Sequence, residues 1–220
     1  NDKDVEVKYL LTTLSEKYNR VSMHGVRKEL LQIQAKNIGV ELKEIYLPES
    51  ASLETYNNIM KKAFEGFKEE GIEYSIFGDI FLEDLKKYRE DRLAEVRMKG
   101  MFPLWKRSST DILKEFMNLG FKTVIVCVND RYLDSSFAGR VIDEDFLNAL
   151  PGNVDPCGEN GEFHSFVFDG PIFKNKIHYE HGELECRAYK AKTVDADKSG
   201  RTRKEKDAVF WYRDILIKSS

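Results

Sequence analysis

TVIVCV, residues 123–128, is a continuous apolar run rich in β-branched side chains. With no polar face to turn to water, it reads as a strand of a parallel sheet buried on both sides. The segments before it support that reading. Val7–Leu14 (VKYLLTTL) is a first strand, Leu42–Leu47 a second closed by Pro48, and Tyr74–Phe77 a third. Helices fall between them. One runs from Val26 to Asn37 with Gly39 as its stop, burying Leu30, Leu31 and Ile33. In the next, Tyr56, Ile59, Met60, Ala63, Phe64 and Phe67 recur at helical spacing as one apolar stripe, ended near Gly71. A third spans Glu83–Lys99, and a fourth is capped by Ser109 or Thr110 and stopped at Gly120. Strands alternating with helices long enough to cross over predict an α/β fold with a parallel sheet and flanking helices.

After Asn129 the pattern changes. A polar loop with Gly139 leads to a short helix near Glu144–Leu150 and then a β-rich tail. In that tail Lys176–His181 and Glu183–Lys190 around Gly182 suggest a hairpin, and Ala208–Ile217 (AVFWYRDILI) a last strand. Asp195–Asp207 reads as a charged loop whose basic run, Arg201–Lys206, is solvated. The expected organisation is an α/β domain over residues 1–130 and a smaller β-rich α+β domain over 131–220, with a soft boundary at 129–134.

At 220 residues the chain is long enough to bury a proper core. A charged fraction of 33% with net charge −3 describes a mildly acidic protein and gives no electrostatic case for a nucleic-acid partner. Cys127, Cys157 and Cys186 are widely spaced and form no CxxC, which argues for free thiols in a reducing compartment and against a zinc site. No metal-ligating residue is assigned. No apolar run approaches a membrane span and NDKDVEVK is no signal peptide, so a cytoplasmic location is expected.

The reactive groups gather in residues 155–173, DPCGENGEFHSFVFDGPIF. Gly158, Gly161 and Gly170 permit positive φ or close approach, and two prolines hold the loop in one shape. Cys157, Glu159, Glu162 and His164 supply a thiol, two carboxylates and an imidazole. The segment reads either as a site or as a tight turn entering a β-structure with solvated glutamates. In open parallel sheets, ligands bind beyond the carboxyl ends of the strands. Three polar clusters fall there: Arg20–Gly25, Gly78-Asp79, and Asn129-Asp130-Arg131. Gly78 and Asp79 offer a close backbone and a carboxylate, or an ordinary strand-to-helix turn. Arg92 lies on its helix's apolar stripe between Leu85, Tyr88 and Val96, with Arg89 beside it. A guanidinium facing a core needs an anion, either a bound phosphate or a structural carboxylate such as Asp79. His24 sits in a loop where simple hydrogen bonding also accounts for it. Cys157 and His164 are of the types that form a nucleophile pair, but the loop between them fixes no geometry. No G-x-G-x-x-G or Walker loop occurs.

RVSMHGVRKELLQIQA, FGDIFLED, the arginine in DRLAEV, PLWKR and above all DPCGENGEFHSFVFDGPIF resemble the diphthine–ammonia ligase family. These are ATP-dependent enzymes of the adenine-nucleotide alpha-hydrolase (PP-loop) superfamily. The similarity runs from about Tyr9 to Phe173 and more loosely to the WYRDILI tail, and its most specific part is Cys-Gly-Glu-x-Gly-Glu followed by Phe-x-x-Phe. The resemblance implies a nucleotide-binding α/β domain followed by a domain for substrate recognition. It implies a reaction in which ATP, with Mg2+, adenylates the diphthine carboxylate of elongation factor 2 and ammonia displaces AMP, giving diphthamide. Gly78, Asp79, Arg92 and His24 are then expected to bind the nucleotide, with the strand end near Leu11–Leu14 meeting the adenine. Glu159 and Glu162 are expected as catalytic groups that hold ammonium and take its proton. Cys157, Gly158, Gly161 and His164 are expected on the acceptor side. Glu162→Gln is then expected to abolish amidation and spare folding.

The family opens with a strand and a Ser-Gly-Gly-Lys-Asp-Ser loop at a helix start, which holds the ATP pyrophosphate. This sequence begins after that loop, so either the first strand and helix lie outside it or ATP chemistry has been lost. Three readings stay open: the amide ligase, acting on elongation factor 2 or on another carboxylate in a bacterium; a non-catalytic nucleotide-binding or interaction module of the same fold; and a PP-loop enzyme of another class. The acidic balance and lack of a cysteine pair weigh against the last. Homo-oligomerisation is left open.

Overall fold

The computed structural model describes residues 5–22, 24–49, 51–189 and 208–218. The expected charged loop Asp195–Asp207 and the end of the second hairpin strand at Lys190 lie outside the described residues. The chain begins with β1 (Tyr9–Ser15), whose last two residues pair with the short antiparallel β2 (Arg20–Val21). Helix α1 (Lys28–Ile38) then carries the chain over to β3 (Glu41–Leu47), which lies parallel to β1 from Tyr9↔Glu41 to Ser15↔Leu47. A parallel pair requires such a crossover. α1 ends where Gly39 takes φ 82, a left-handed cap whose N–H bonds the Ala35 carbonyl.

Helix α2 (Leu53–Glu69) starts on Ser52, whose hydroxyl accepts from Thr55 N–H. Its stripe buries Phe64 against Leu93, Val96 and Met98. A second parallel pair, β4 (Tyr74–Ile76) and β5 (Lys99–Met101), is joined by α3 (Glu83–Ala94). The helix expected to reach Lys99 thus stops at Ala94. The helix ends in a turn in which Arg97 takes φ 60 and Met98 N–H bonds the Leu93 carbonyl, with Val96 and Met98 buried. Residues 99–101 then add β5, which the sequence reading lacks.

The largest correction concerns TVIVCV. After α4 (Ser109–Asn118) it forms the centre of β6 (Lys122–Asn129), which is antiparallel to both its neighbours. Those neighbours are β7 (Phe163–Asp169) and β9 (Ala208–Ile217), and with β8 (Tyr179–Tyr189) they form a four-stranded sheet of order β7-β6-β9-β8. The run is buried on both faces as expected. On one side lie Leu113, Phe137, Phe163 and Phe146 of the short helix α5 (Glu144–Ala149). On the other lie Val26 and Leu30 at the start of α1, together with Phe166, Phe168, Ile177 and Ile215. Two-sided burial produces a continuous apolar strand whatever direction its neighbours run, so the run reports its cover and not its polarity.

The expected hairpin at Gly182 is also corrected. β8 runs straight through Gly182 and pairs with β9 from Tyr179↔Ile217 to Tyr189↔Ala208, with an irregularity between His181 and Leu184. A Cβ at Gly182 would stand 3.1 Å from the Asp214 Cβ, so this glycine serves a close cross-strand approach instead of a turn. The molecule is therefore mixed α/β, with parallel sheet segments and a separate antiparallel β-rich region. Among the described residues no helix is long and apolar enough to cross a membrane.

β1 and β4 each keep one edge largely without a strand partner among the described residues. Residues of both strands line one open cavity of about 1370 Å³, together with apolar side chains of α2 such as Met60, Phe64 and Phe67.

Candidate functional site

The segment 155–164 is held by its own hydrogen bonds. Asp155 Oδ1 accepts from Cys157 N–H at 2.9 Å and Glu159 N–H at 3.2 Å, the local turn that an Asp before Pro favours. Glu162 is completely buried at the centre. Its Oε1 accepts from Asp155 N–H at 2.9 Å and Asn160 Nδ2 at 3.0 Å, and its Oε2 from Asn160 N–H at 2.9 Å. A buried carboxylate is tolerated only with such donors. Gly158 and Gly161 take φ 71 and 80. At Gly158 a Cβ would also stand 2.9 Å from the Phe163 carbonyl oxygen. Cys157 Sγ donates to the Ser109 carbonyl at 3.3 Å. Burial, with the Asp155 and Glu159 carboxylates beside it, pushes its thiol up to about 12, so it stays protonated and is no nucleophile at neutral pH.

Two of the three polar clusters expected at strand ends meet this segment, and beside the third, Gly78-Asp79, it is the two following residues that do. Beyond β4, Ile80 N–H and Phe81 N–H donate to Glu159 Oε1 at 2.7 and 3.4 Å. At the end of β6, Asn129 N–H donates to the Glu162 carbonyl at 2.8 Å, and its side chain reaches the Gly161 carbonyl at 3.5 Å. From the loop after β2, the His24 ring lies against His164 with centroids 4.1 Å apart and planes tilted by 33°. That loop is clamped to β9. Arg20 and Arg27 bond Asp214 at 2.8 and 2.6 Å, and Gly25, at φ 73, lies under the Tyr212 ring. Burial alone would raise the Asp214 carboxyl, but the bonds from Arg27 and Arg20 hold it at about 2.

Both imidazoles are neutral at pH 7. Burial lowers His24, and burial with the neighbouring His24 lowers His164 to about 4. His24 Nδ1 lies 3.2 Å from the Ser22 carbonyl oxygen. A carbonyl only accepts, so Nδ1 carries the proton and Nε2 carries the lone pair.

Asp79, buried beyond β4, pairs with Arg89 and not with Arg92: Arg89 Nε lies 2.8 Å from Asp79 Oδ2 and the guanidinium stacks on Phe77. The Nε–Oδ2 approach is an ion pair without hydrogen-bond alignment, and both atoms lack a hydrogen-bond partner. Arg92 instead meets Glu95 at 2.8 Å, and its buried Nε also lacks a partner. Arg89 and Arg92 line the large cavity, as do His24 and residues Leu11–Thr13 of β1. Leu14 is fully buried and does not reach it. Gly78, Asp79 and the 155–162 loop are outside that lining. Of the expected nucleotide residues, Arg92 and His24 thus line the cavity and Gly78 and Asp79 do not, while His24 also touches His164 of the expected acceptor group. Among the described residues no three His, Cys, Asp or Glu side chains are grouped to hold a metal ion.

Sequence reasoning missed Arg89 as the partner of Asp79 and the Arg20–Asp214–Arg27 clamp, both of which join residues from different elements. Asp155 was accessible to it, since Asp-Pro is a turn signal.

Residues 1–100 match the diphthamide synthase N-terminal domain family and residues 108–195 the diphthamide synthase C-terminal domain family. The chain is 26% identical over 171 residues to the human diphthine–ammonia ligase, covering 75% of this chain and 58% of that protein. It is 28% identical over 142 residues to the Bos taurus diphthine–ammonia ligase (62% of this chain, 52% of that one). With the Danio rerio enzyme of the same name it shares 30% over 103 residues (44% and 40%). The chain thus spans about half the length of these curated relatives. Two adjoining domain matches, the second of which includes the motif-bearing segment described above, agree with relatives that carry one name: the chain belongs to the diphthine–ammonia ligase (diphthamide synthase) family.

Proposed function

We propose that this chain is part of an ATP-dependent amide ligase of the adenine-nucleotide alpha-hydrolase type, which converts the diphthine carboxylate of elongation factor 2 to diphthamide with ammonia. The observation that carries this reading is the meeting of the β4 exit at Ile80, the β6 end at Asn129 and His24 on residues 159–164, with a cavity of about 1370 Å³ that His24 also lines. Pockets for small ligands occupy about 300–1,000 Å³, so a nucleotide has room. The fit extends to charge. Arg89, ion-paired to Asp79, and Arg92, whose Nε–H lacks an acceptor, present cations to the cavity, and phosphate oxygens are suitable partners for them.

A carboxylate resists attack by an amine, and ATP supplies the leaving group that removes this resistance. Arg89, steadied by Asp79 and Phe77, and Arg92 would stabilise the charge on the phosphates. Gly78 would leave the backbone after β4 accessible, and Leu11–Thr13 would meet the base. Glu159 would hold the β4 exit through Oε1 and offer Oε2 to an ammonium ion. Glu162, with both oxygens occupied, would act as a positioning residue that shapes the loop. Cys157, Gly158, Gly161 and His164 would form the acceptor side, and Mg2+ would accompany the nucleotide. We also place the division between the nucleotide and acceptor parts ahead of α4 instead of at 129–134, because β6 pairs with β7 and β9.

The test is ATP–pyrophosphate exchange by the full-length protein with diphthine-bearing elongation factor 2. Exchange that depends on the diphthine carboxylate is expected. Nucleotide binding without exchange would favour the non-catalytic module, and exchange only with other carboxylates would move the acceptor elsewhere.

A further inference from the structure

Amide formation from an activated carboxyl group releases one proton from the attacking nitrogen, and the group that receives it has to be unprotonated and reachable from the cavity. Neither motif glutamate suits that task well. Glu162 is buried, with both oxygens taken by loop donors. Glu159 is tied to the β4 exit and stands outside the cavity lining. Of the other carboxylates along the wall, Glu70 and Glu95 are committed to Lys8 and Arg92, and Glu6 and Glu73 are solvent-exposed. His24 differs from all of these. It lines the cavity, and its Nδ1 is fixed as the donor to the Ser22 carbonyl. Among the described residues no protein hydrogen bond uses its Nε2.

A second feature is independent of the first. His24 also borders a small space of about 20 Å³, whose wall includes Arg20, Glu185, Tyr212, Arg213 and Asp214 beside Gly25 and Val126. That volume accommodates a single water molecule. The ring thus borders both the cavity and a water-sized space, with the His164 ring packed against it.

We propose that His24 is the proton acceptor for the attacking ammonia and that His164 is a positioning residue that holds the His24 ring. The inference rests on the ligase reading above. In the step, the nitrogen lone pair forms the C–N bond to the activated carbonyl carbon. The bond from that carbon to the AMP oxygen breaks, and AMP leaves with the electron pair. The surplus proton on nitrogen passes to His24 Nε2 and then to water. Imidazole suits this role because its ordinary range brackets neutral pH, and burial keeps both rings neutral there.

The experiment separates the two half-reactions in the full-length protein with diphthine-bearing elongation factor 2. His24→Gln is expected to keep carboxylate-dependent ATP–pyrophosphate exchange within about threefold while amide formation falls about 100-fold or more, the usual contribution of general acid–base catalysis. Hydroxylamine in place of ammonia, uncharged at pH 7, should restore product formation as the hydroxamate. At constant free ammonia the unaltered protein should hold its rate from pH 8 to 6.5, and His24→Gln should instead slow steadily as pH falls. His164→Gln should show a smaller loss of the same kind. Loss of exchange, amide and hydroxamate together in a folded His24→Gln protein overturns the proposal in favour of nucleotide binding by His24, and unchanged amidation overturns it outright. Absence of exchange in the unaltered protein defeats the ligase reading, and the proposal falls with it.

Discussion

In the segment 155–164 the polar groups of Asp155, Cys157, Glu159 and Glu162 all have partners, and the bonds are short-range or made to an adjoining strand end, apart from that of Cys157 Sγ to the Ser109 carbonyl at the start of α4. The cavity between β1 and β4 is the opposite: apolar walls, strand edges largely without strand partners among the described residues, and two arginines, of which Arg92 has a buried Nε that lacks an acceptor. One region is complete before any ligand arrives. The other has unsatisfied capacity, which is what a site that gains its stability from a ligand looks like. The comparison teaches that the most motif-like residues here are not the most available ones. Glu162 is central to the motif and closed to solvent, whereas Arg89 carries no motif signal and faces the cavity.

The sharpest way to break this contrast is at Glu162. Glu162→Ala leaves buried N–H donors of Asp155 and Asn160 without acceptors and should cost about 3–5 kcal/mol. Glu162→Gln, which keeps one acceptor, should cost about 1–2 kcal/mol. Urea unfolding midpoints measure both; a loss below about 1 kcal/mol for the alanine variant would show that the loop is not built around this carboxylate.

The next effect is a pH dependence. His164 is lowered from 6.5 to about 4 in the folded protein, so on acidification the unfolded chain takes up its proton first. Stability should therefore fall as pH drops from 6.5 to 4, by about 3 kcal/mol from this group. His164→Gln should flatten that part of the stability–pH curve. A curve unchanged by the substitution would mean that the ring is not held neutral by its burial beside His24.

Two glycines sharpen the contrast within the loop. Gly158→Ala adds a clash with the Phe163 carbonyl to a left-handed φ and should cost about 2–3 kcal/mol. Gly161→Ala meets nothing within 4 Å and should cost about 1 kcal/mol, the backbone term alone. Equal losses at both positions, read from thermal or urea unfolding, would remove the claim that Phe163 closes tightly over the loop.

The smallest stability effect is expected in the cavity. Leu11→Trp adds volume to an open space, so it should change stability by less than about 1 kcal/mol, yet weaken ATP binding at least about tenfold in calorimetry. If unfolding responds as strongly there as at Gly158, the cavity is a packed core and not a site.

Much of this was legible in the sequence. The helix stop at Gly39 and the start of α2 beyond Pro48 followed from local chemistry, because glycine and proline act on their own backbone. The importance of 155–164 was legible for the same reason: its glycines, Asp-Pro and glutamates interact mainly with one another. Arg89 was harder, since its partner Asp79 lies ten residues away in the loop before the helix. Helical spacing pointed equally well to Arg92, which pairs with Glu95 at the end of its own helix.

What the sequence determined by itself were the properties carried by near neighbours: the burial of TVIVCV, the spacing of α2's stripe, and the dense motif loop. What only the tertiary structure decided were direction and partnership. β6 is antiparallel because β7 and β9 are its neighbours, β8 runs through Gly182 because Asp214 lies opposite, and His24 meets His164 because Arg20 and Arg27 bind Asp214 on β9. The physical reason is common to all three. Burial and backbone preference act over a few residues and leave a periodic trace, whereas strand order and ring contacts join residues far apart in the chain, whose pairing no local pattern encodes.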